Sequence, residues 1–402
     1  NVEALQESDP FLLAGFDYRM IHFYNAGMNP VIIKLQIDEN GDNTWRDLTS
    51  IKLDNTGYNS YIFDKNLKAE WVRLVADKSS KLTATFHYTD ASLKDSNEGA
   101  TIFKGLADIN DTINVHHAKL YSNKKNFNLS VFKGIIQNGK FTQDEAFEFS
   151  KSGFDFKSGI VDSAAFRALK VKDLWEEDKA SVILKTKQGI LRLPKGNKNY
   201  KTKLPSVTTR TIREVESERE LANICGTFYE VPLFKVGQEP LYTMMRPVAT
   251  HNKQISEYNT WNGLLVMSGV RENAEPSEHI YKSSDNAMGL WFGGIDDLWS
   301  FGKPKGEGGP WKNTDIVADE FSDRYLMTGY DEKRMDLIAD RDVEISLYIH
   351  INHYLDKPVL YKKFKLKAHQ KFSYEFPQGF SAHWAQLKSD KNCEATAWFV
   401  YE

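Results

Sequence analysis

A short segment near residue 250 combines residue types that could bind and process an acidic sugar. Arg246 and His251 lie five residues apart, separated by a proline and small residues, and Asn252 follows. A guanidinium can hold a carboxylate through two hydrogen bonds, and an imidazole can transfer a proton near neutral pH. Arg192 is a second candidate ligand for a carboxylate. We therefore predict that Arg192, Arg246, His251 and Asn252 contact an anionic glycan.

Three further histidines are candidates for proton transfer or sugar binding. His116 and His117 are adjacent, and neighbouring residues of a strand point to opposite faces, so at most one of them can face a given cleft. The simpler interpretation is one surface histidine and one hydrogen-bonded histidine. His22 stands between apolar residues, which is typical of a strand residue whose side chain points away from the core.

The bulk composition excludes several classes of partner. The chain has 402 residues, 41% of them hydrophobic, and a formal net charge of -3, so no basic field predicts nucleic-acid binding. No apolar run approaches the ~20 residues that a membrane-spanning helix needs. Cys225 and Cys393 lack the spacing of a zinc site, and we expect buried free thiols. Asp296 and Asp297 could bind calcium, but adjacent side chains diverge on an extended chain, and we assign no metal or cofactor.

The two ends of the chain repeat one another. Residues 11–17 match residues 325–331, residues 61–63 and 69–71 match 374–376 and 382–384, and residues 83–88 match 396–401. The offset is 313 or 314 throughout, and it places His22 opposite Asp336. Self-similarity of this kind is the mark of a repeat architecture.

The elements that position these residues are predicted to be β-strands. Short runs rich in Val, Ile and aromatic residues alternate with turns along the chain. The one helix candidate, Ile212–Ala222, is charged on most sides and could equally be a loop or a strand edge. We predict an all-β fold: one seven-bladed β-propeller over residues 1–402, closed by pairing of its N- and C-terminal blades, with about 57 residues per blade. The alternative is a β-sandwich at each end, flanking a central β-domain.

Four segments carry a resemblance to a known family. They are residues 226–232, Arg246-Pro247 with residues 250–255, residues 261–269, and residues 294–299. Together they resemble the seven-bladed propellers of glycoside hydrolase family 145, which are similar in turn to propeller polysaccharide lyases such as the ulvan lyases.

The resemblance implies a hydrolase of complex acidic polysaccharides. Members of that family are α-L-rhamnosidases that release rhamnose linked to glucuronic acid in arabinogalactan-type glycans, and they use a histidine without the usual carboxylate pair. His22 best fits that histidine. A polysaccharide-degrading role implies a periplasmic or secreted protein, and we expect a monomer.

Two alternatives remain open. A lyase would cleave next to a uronic acid by β-elimination. Its cleft would lie on the propeller face opposite His22 and would consist of His116, His117, Arg192, Arg246, His251 and Asn252. The sequence departs from that pattern before Arg192, where residues 174–177 offer no tyrosine. A catalytically silent propeller that only binds glycans is the third interpretation.

Overall fold

Strands dominate the computed structural model, which describes residues 1–89, 100–123, 126–137, 140–158, 175–197, 199–200, 211–216, 219–233, 241–353 and 357–402. The prediction of an all-β fold is confirmed. The described residues include the short 3-10 helices Thr101–Phe103, Tyr242–Met244 and Ile295–Ser300. The chain divides into two compact units, one formed by residues 1–92 with 309–401 and the other by residues 93–308.

The first part of the two-ended unit is a seven-stranded N-terminal module. Its strands are β1 Phe11–Leu12, β2 Tyr18–Asn25, β3 Val31–Asp38, β4 Trp45–Leu53, β5 Tyr58–Ile62, β6 Trp71–Ala76 and β7 Leu82–Thr89. They form two sheets, in the orders β1-β6-β3-β4 and β5-β2-β7. Alternate residues of β3 are buried, and their side chains share one apolar cluster with Ile21 and Phe23 of the other sheet, so the module is a β-sandwich.

The central unit consists of antiparallel sheets whose strands mostly follow one another in sequence. Its strands are β8 Val115–Ser122, β9 Leu129–Gln137, β10 Lys140–Phe149, β11 Phe156–Ser158, β12 Trp175–Glu177, β13 Val182–Thr186, β14 Gly189–Leu193, β15 Thr211–Glu216, β16 Arg219–Ile224, β17 Thr227–Pro232, β18 Arg246–Thr250, β19 Tyr258–Trp261, β20 Leu264–Met267, β21 Val270–Arg271, β22 Ile280–Lys282 and β23 Gly289–Gly293. They pair in the orders β11-β10-β9-β8-β21, β12-β13-β14, β15-β16-β17-β18 and β19-β20-β23-β22.

Turn chemistry explains two hairpins of the central unit. Cys225 and Gly226 join β16 to β17 with φ of 50° and 76°, and Asn262 and Gly263 join β19 to β20 with φ of 52° and 78°. Two consecutive positive φ values match the two-residue turns whose twist suits a hairpin. Of the helix candidate Ile212–Ala222, residues 212–216 lie in β15 and residues 219–222 lie in β16, because the pairing of β16 with β15 and β17 outweighs local propensity.

The C-terminal module completes the two-ended unit. Its strands are β24 Gly306–Ile316, of which Gly309 onward belongs to this unit, β25 Arg324–Leu326, β26 Lys333–Ala339, β27 Val343–His350, β28 Val359–Leu366, β29 Phe372–Glu375, β30 Trp384–Ser389 and β31 Cys393–Tyr401. Strands β25, β30, β27 and β28 run side by side in that order, and the second sheet has the order β24-β31-β26-β29.

The internal repeat is confirmed strand by strand. The order β1-β6-β3-β4 recurs as β25-β30-β27-β28, and β5-β2-β7 recurs as β29-β26-β31. The register recurs too, since His22 lies opposite Ser60 in one module and Asp336 lies opposite Ser373 in the other. Both ends of the chain thus lie in one unit. No sheet among the described residues closes on itself, and the closed propeller over residues 1–402 stays a prediction.

Candidate functional site

His22 lies in the interior of the two-ended unit, where the N- and C-terminal modules meet. Its side chain is 0% exposed, so the expectation of a surface strand residue is wrong. Its Nε2 lies 2.7 Å from the carbonyl oxygen of Ser381, and its Nδ1 lies 2.9 Å from the hydroxyl of Tyr58. A carbonyl oxygen only accepts, so Nε2 carries the hydrogen and Nδ1 accepts from Tyr58. Both ring nitrogens are engaged.

Burial also holds His22 in its neutral form. Desolvation, together with the neighbouring His87, lowers the pKa of His22 to about 3. The rings of His22 and His87 are 5.0 Å apart, those of His87 and His383 are 5.4 Å apart, and those of His383 and His353 are 5.9 Å apart. Four imidazoles therefore form a continuous row, which sequence spacing could not reveal because its members come from four separate segments.

His251 belongs to a buried hydrogen-bond chain in the central unit. Its Nδ1 accepts from the backbone N–H of Lys253 at 3.1 Å, which leaves Nε2 to donate to Oδ1 of Asn223 at 3.2 Å. The Asn223 amide donates to the Tyr200 hydroxyl at 2.9 Å, and that hydroxyl donates to the carbonyl of Ile255. Burial, and secondly Lys253, lowers the pKa of His251 to about 3. A fully satisfied network of this kind fixes the local fold.

The two arginines predicted to hold a carboxylate already contact protein carboxylates. Arg192 donates to Asp178 at 2.7 Å, and Arg246 donates to Glu230 at 2.9 Å from Nη2 and 3.2 Å from Nε. Arg246 is half exposed while His251, five residues further on, is buried. Strand β18 thus separates the two side chains that the sequence places together. Asn252 uses its carbonyl oxygen to accept from the N–H of Ile109.

His116 and His117 lie on β8 and are both buried. Burial, and secondly Lys282, lowers the pKa of His116 to about 4, while burial and His116 lower the pKa of His117 to about 4. The Nδ1 atoms of both rings lack a hydrogen-bond partner among the described residues. Both imidazoles are therefore neutral at pH 7 and each retains an unused ring nitrogen.

A polar depression of about 460 Å³ opens beside the start of β8. Its lining is formed by Thr112, Ile113, Asn114, Glu272, Asn273 and Asn286. The N–H of Glu272 donates to the carbonyl of Asn114 at 3.0 Å, which joins the two lining segments. The carboxylate of Glu272 and the backbone of Asn286 both act to raise the pKa of His116, against the larger lowering by burial. None of the predicted site residues belongs to this lining, and His116 is the predicted site residue whose pKa two lining residues, Glu272 and Asn286, affect.

Four charged side chains anchor the segments next to the depression. Asp108 pairs with Lys253 at 2.6 Å and with Arg271 at 2.8 Å, and Arg271 also pairs with Asp111 at 2.9 Å. Residue-type patterns missed this cluster because its members are up to 163 positions apart in the chain. This charged cluster fixes the loop between residues 108 and 114 against β21, and β21 pairs antiparallel with β8.

In the part of the chain that the structure describes, there is neither a metal-binding cluster nor a membrane-spanning helix. No three His, Cys, Asp or Glu side chains there lie so that they could share a metal ion, and no helix there is long and apolar enough to cross a membrane. Cys225 and Cys393 are free and buried, as the sequence predicts.

Comparisons with known proteins add no family assignment. No family model and no curated protein matches the chain. Among solved structures, vicilin from Capsicum annuum is similar at 8% identity, covering 97% of this chain and 74% of that chain, with a TM-score of 0.14. A likeness at that level carries no argument about fold or function. The resemblance to glycoside hydrolase family 145 stays a prediction.

Proposed function

We propose that this chain is a carbohydrate-active protein whose central unit binds a terminal deoxy sugar of an acidic polysaccharide. The observation that supports the proposal is the lining of the depression beside His116. Three amides, one hydroxyl and the Glu272 carboxylate supply donors and acceptors for sugar hydroxyls. Ile113, 39% exposed, adds an apolar surface suited to a methyl group. Rhamnose combines both features, since it carries three free hydroxyls and a C6 methyl.

The reaction that we propose is hydrolysis, with release of α-L-rhamnose from glucuronic acid. This part of the proposal comes from the resemblance in sequence, as do the seven-bladed closure, the monomeric state and a periplasmic or secreted location. His22 is its predicted catalytic residue and lies in the two-ended unit, so the depression in the central unit is a separate sugar-binding site and not the place of hydrolysis. Because His22 is buried between the two terminal modules, a sugar could touch it only after those modules separate.

The lyase alternative has less support from the geometry. β-Elimination next to a uronate needs a cation that neutralises the carboxylate and a base that removes the proton at C5. His116 or His117 could serve as a neutral base. Arg192 and Arg246, however, contact Asp178 and Glu230, so a uronate would have to displace a protein carboxylate to reach them.

Incubation with gum arabic, followed by assay of free rhamnose and of ultraviolet absorbance, tests the reaction. Hydrolysis releases rhamnose without absorbance, whereas elimination creates an unsaturated, absorbing product. We expect Glu272→Gln to weaken rhamnoside binding by roughly tenfold or more, because a charged hydrogen bond contributes about 1.5–3 kcal/mol. Glu275→Gln, on an exposed neighbour outside the lining, is the matched control.

The outcomes separate binding from catalysis. His22→Gln should lower rhamnose release at least ~100-fold if His22 transfers a proton, with thermal stability checked in parallel. Rhamnose release that is unchanged in folded His22→Gln would remove His22 as the catalyst. Failure to bind rhamnosides and failure to release rhamnose would together contradict the proposal.

A further inference from the structure

Two hairpin turns of the central unit share one hydrogen-bond pattern. The turn between β8 and β9 is closed by a bond from the N–H of Asn123 to the carbonyl of Asn128, at 2.9 Å. The turn between β10 and β11 is closed in the same way by Ser150 and Asp155, at 3.0 Å. In both turns the fifth residue donates its N–H to the carbonyl of the first residue, at 2.9 Å. The two turns therefore have the same local geometry.

The fifth residue of each turn is a phenylalanine in a left-handed backbone conformation. Phe127 has a φ of 60° and Phe154 has a φ of 51°. A bulky side chain is strained there, so glycine or asparagine usually occupies such a turn position. The chain follows this preference in the turn between β19 and β20 and in the turn between β22 and β23, where Asn262 and Asn286 have φ of 52° and 58°. The two phenylalanines thus occupy positions where asparagine, which other turns of the unit use, would be less strained.

Both phenylalanine side chains are also exposed to solvent. Phe127 is 63% exposed and Phe154 is 39% exposed. An aromatic ring stabilises a fold by leaving water, and a ring that stays in water contributes little of that free energy. Neither solvation nor backbone strain therefore favours phenylalanine at these two positions. Strained residues persist mainly where they serve a functional site, and an exposed apolar patch often marks a binding site as well.

One buried tryptophan holds the two turns together. The indole Nε1 of Trp261 donates to the carbonyl of Phe127 at 2.9 Å, and the ring of Phe154 lies 5.7 Å from the Trp261 ring. The turns also touch directly, because the N–H of Lys151 donates to the Asn128 side chain at 3.3 Å. The Nζ of Lys151 lies 4.6 Å from the centre of the Phe127 ring. Phe127, Lys151 and Phe154 thus form one surface, the turn surface.

The turn surface carries one positive charge, on the ammonium of Lys151. Within the described part of the chain, this ammonium contacts the Phe127 ring and forms no ion pair with Glu148 or Asp155, the acidic residues nearest to it in sequence. The two carboxylate oxygens of Glu148 accept instead from the side-chain amides of Asn126 and Asn128, at 3.1 and 3.2 Å. The ammonium is therefore available to an anionic ligand.

A uronic acid unit of a polysaccharide matches these features. One face of a pyranose ring presents C–H groups, which pack on an aromatic ring through dispersion and weak hydrogen bonds. The carboxylate of a uronate can form a charge-assisted hydrogen bond with an ammonium. A protein partner is a poorer match, because a stable protein interface buries about 800 Å² on each side. The turn surface consists of only three side chains.

We propose that the turn surface is a second glycan-binding site, which holds uronic acid units of an acidic polysaccharide. One unit packs on Phe127 with its carboxylate toward Lys151, and another unit packs on Phe154. The turn surface lies at the end of β8 and the depression lies at its start, so eight residues of strand, or about 26 Å, separate the two sites. This inference rests on the proposed function in taking the ligand to be an acidic polysaccharide, and it adds which unit is bound and where.

Calorimetric titration of the full chain with a hexasaccharide of β-1,4-linked glucuronic acid tests the inference. Cellohexaose, which has the same backbone without carboxylates, is the matched neutral ligand. We expect saturable binding of the glucuronate hexasaccharide, roughly fivefold tighter than that of cellohexaose, because an exposed ion pair contributes a modest free energy. Lys151→Gln should abolish this preference, and high salt should reduce it. Absence of saturable hexasaccharide binding up to millimolar concentration would overturn the inference.

Substitution of Phe127 separates a role in binding from a role in folding. Phe127→Asn should weaken hexasaccharide binding roughly tenfold or more, because it removes a ring that packs on the sugar. The melting temperature should stay the same or rise, because asparagine tolerates the left-handed conformation better. The matched control is Phe321→Asn, at a 43% exposed phenylalanine that also has a lysine over its ring but lacks a positive φ. Unchanged binding in Phe127→Asn, or a melting temperature lower by roughly 5 °C, would overturn the inference.

A separate titration with methyl α-L-rhamnoside distinguishes this inference from the proposed function. Rhamnoside binding should be unchanged in Phe127→Asn, because the depression lies at the other end of β8. Rhamnoside binding without hexasaccharide binding would contradict the turn surface alone. Hexasaccharide binding without rhamnoside binding would contradict the depression alone. A dimer that Phe127→Asn dissociates, without hexasaccharide binding, would overturn the inference in favour of a second copy of the chain.

Discussion

The N- and C-terminal modules share their strands and differ in what surrounds them. Each module contains seven strands that correspond one to one and pair in the same two sheet orders. Each also has a bulge at the corresponding point, after Leu35 in β3 and after Leu347 in β27. Their aromatic surfaces nevertheless differ, since Phe11 is half exposed and Tyr325 is buried. The comparison shows that one strand topology can bury an aromatic residue in one module and leave its counterpart half exposed in the other.

In both modules, a buried cationic side chain donates hydrogen bonds to backbone carbonyls. Arg19 is buried and donates to the carbonyls of Asp64 at 2.8 Å and Leu67 at 3.0 Å. Its counterpart Lys333 is also buried and donates to the carbonyls of Tyr330 and Phe380. The acceptors Leu67 and Phe380 are themselves counterparts. A cation bonded to backbone carbonyls is therefore part of the shared scaffold, and the difference between the modules lies elsewhere.

The largest effect should come from a tryptophan pair at one repeat position. Trp384 is 0% exposed, whereas its counterpart Trp71 is 37% exposed. We expect Trp384→Ala to destabilise the protein by about 3–5 kcal/mol, because it leaves a large cavity in a packed interior. Trp71→Ala should cost about 1 kcal/mol. Urea unfolding followed by far-ultraviolet circular dichroism measures both. Equal losses in the two variants would show that the modules are not packed differently at this position.

The sequence predicts the strands and the internal repeat better than it predicts how the strands pair into sheets. Matching residues at an offset of 313 or 314 reveal the repeat, and runs of β-branched and aromatic residues reveal strands, because both are local patterns. The arrangement of sheets depends on which distant strands pair. Ile212–Ala222 illustrates this limit, since its charged pattern is compatible with a helix until β17 pairs with it.

The candidate site was less predictable than the fold. His22 looked like a surface residue because a polar side chain between apolar ones is usually solvated, yet Ser381, 359 positions away, covers it. Arg246 and His251 are close in sequence, but Arg246, at the start of β18, is half exposed, whereas His251, just after its end, is buried. The depression beside His116 combines residues from segments 112–114 and 272–286, and no short motif connects them.

The second effect is a pH dependence that His22 has and its counterpart Asp336 lacks. The pKa of His22 is about 3 in the folded chain, below its ordinary value of 6.5. As the pH falls below 6.5, His22 is protonated in the unfolded chain but stays neutral in the folded chain. The free energy of unfolding therefore decreases by about 1.4 kcal/mol per pH unit because of this group. Between pH 6.5 and 4, the free energy of unfolding of His22→Gln should fall less steeply than that of the wild type, by about 1.4 kcal/mol per pH unit, which corresponds to one proton. Urea unfolding at each pH measures this slope.

Asp336 provides the contrast for that experiment. Burial alone would raise the pKa of Asp336, but the hydrogen bond from Ser373 and the ion pair with Lys371 outweigh it and lower the pKa. Stability from Asp336 is therefore lost only below its ordinary value of 3.8, outside the window of His22. A slope unchanged by His22→Gln would mean that His22 is solvated in the folded protein.

The smallest effect should be equal in both modules, and it tests the shared scaffold. Gly15 and Gly329 occupy the same turn, with φ of 89° and 82°. A side chain at either position meets the left-handed strain of about 1 kcal/mol. At Gly15 no neighbour lies within 4 Å of an added Cβ, so strain is the whole cost there. Gly15→Ala and Gly329→Ala should therefore each lower the free energy of unfolding by about 1 kcal/mol, measured in urea. A much larger loss at Gly329 would place the difference between the modules in the turn itself, because the C-terminal module would then lack room at this turn that the N-terminal module has.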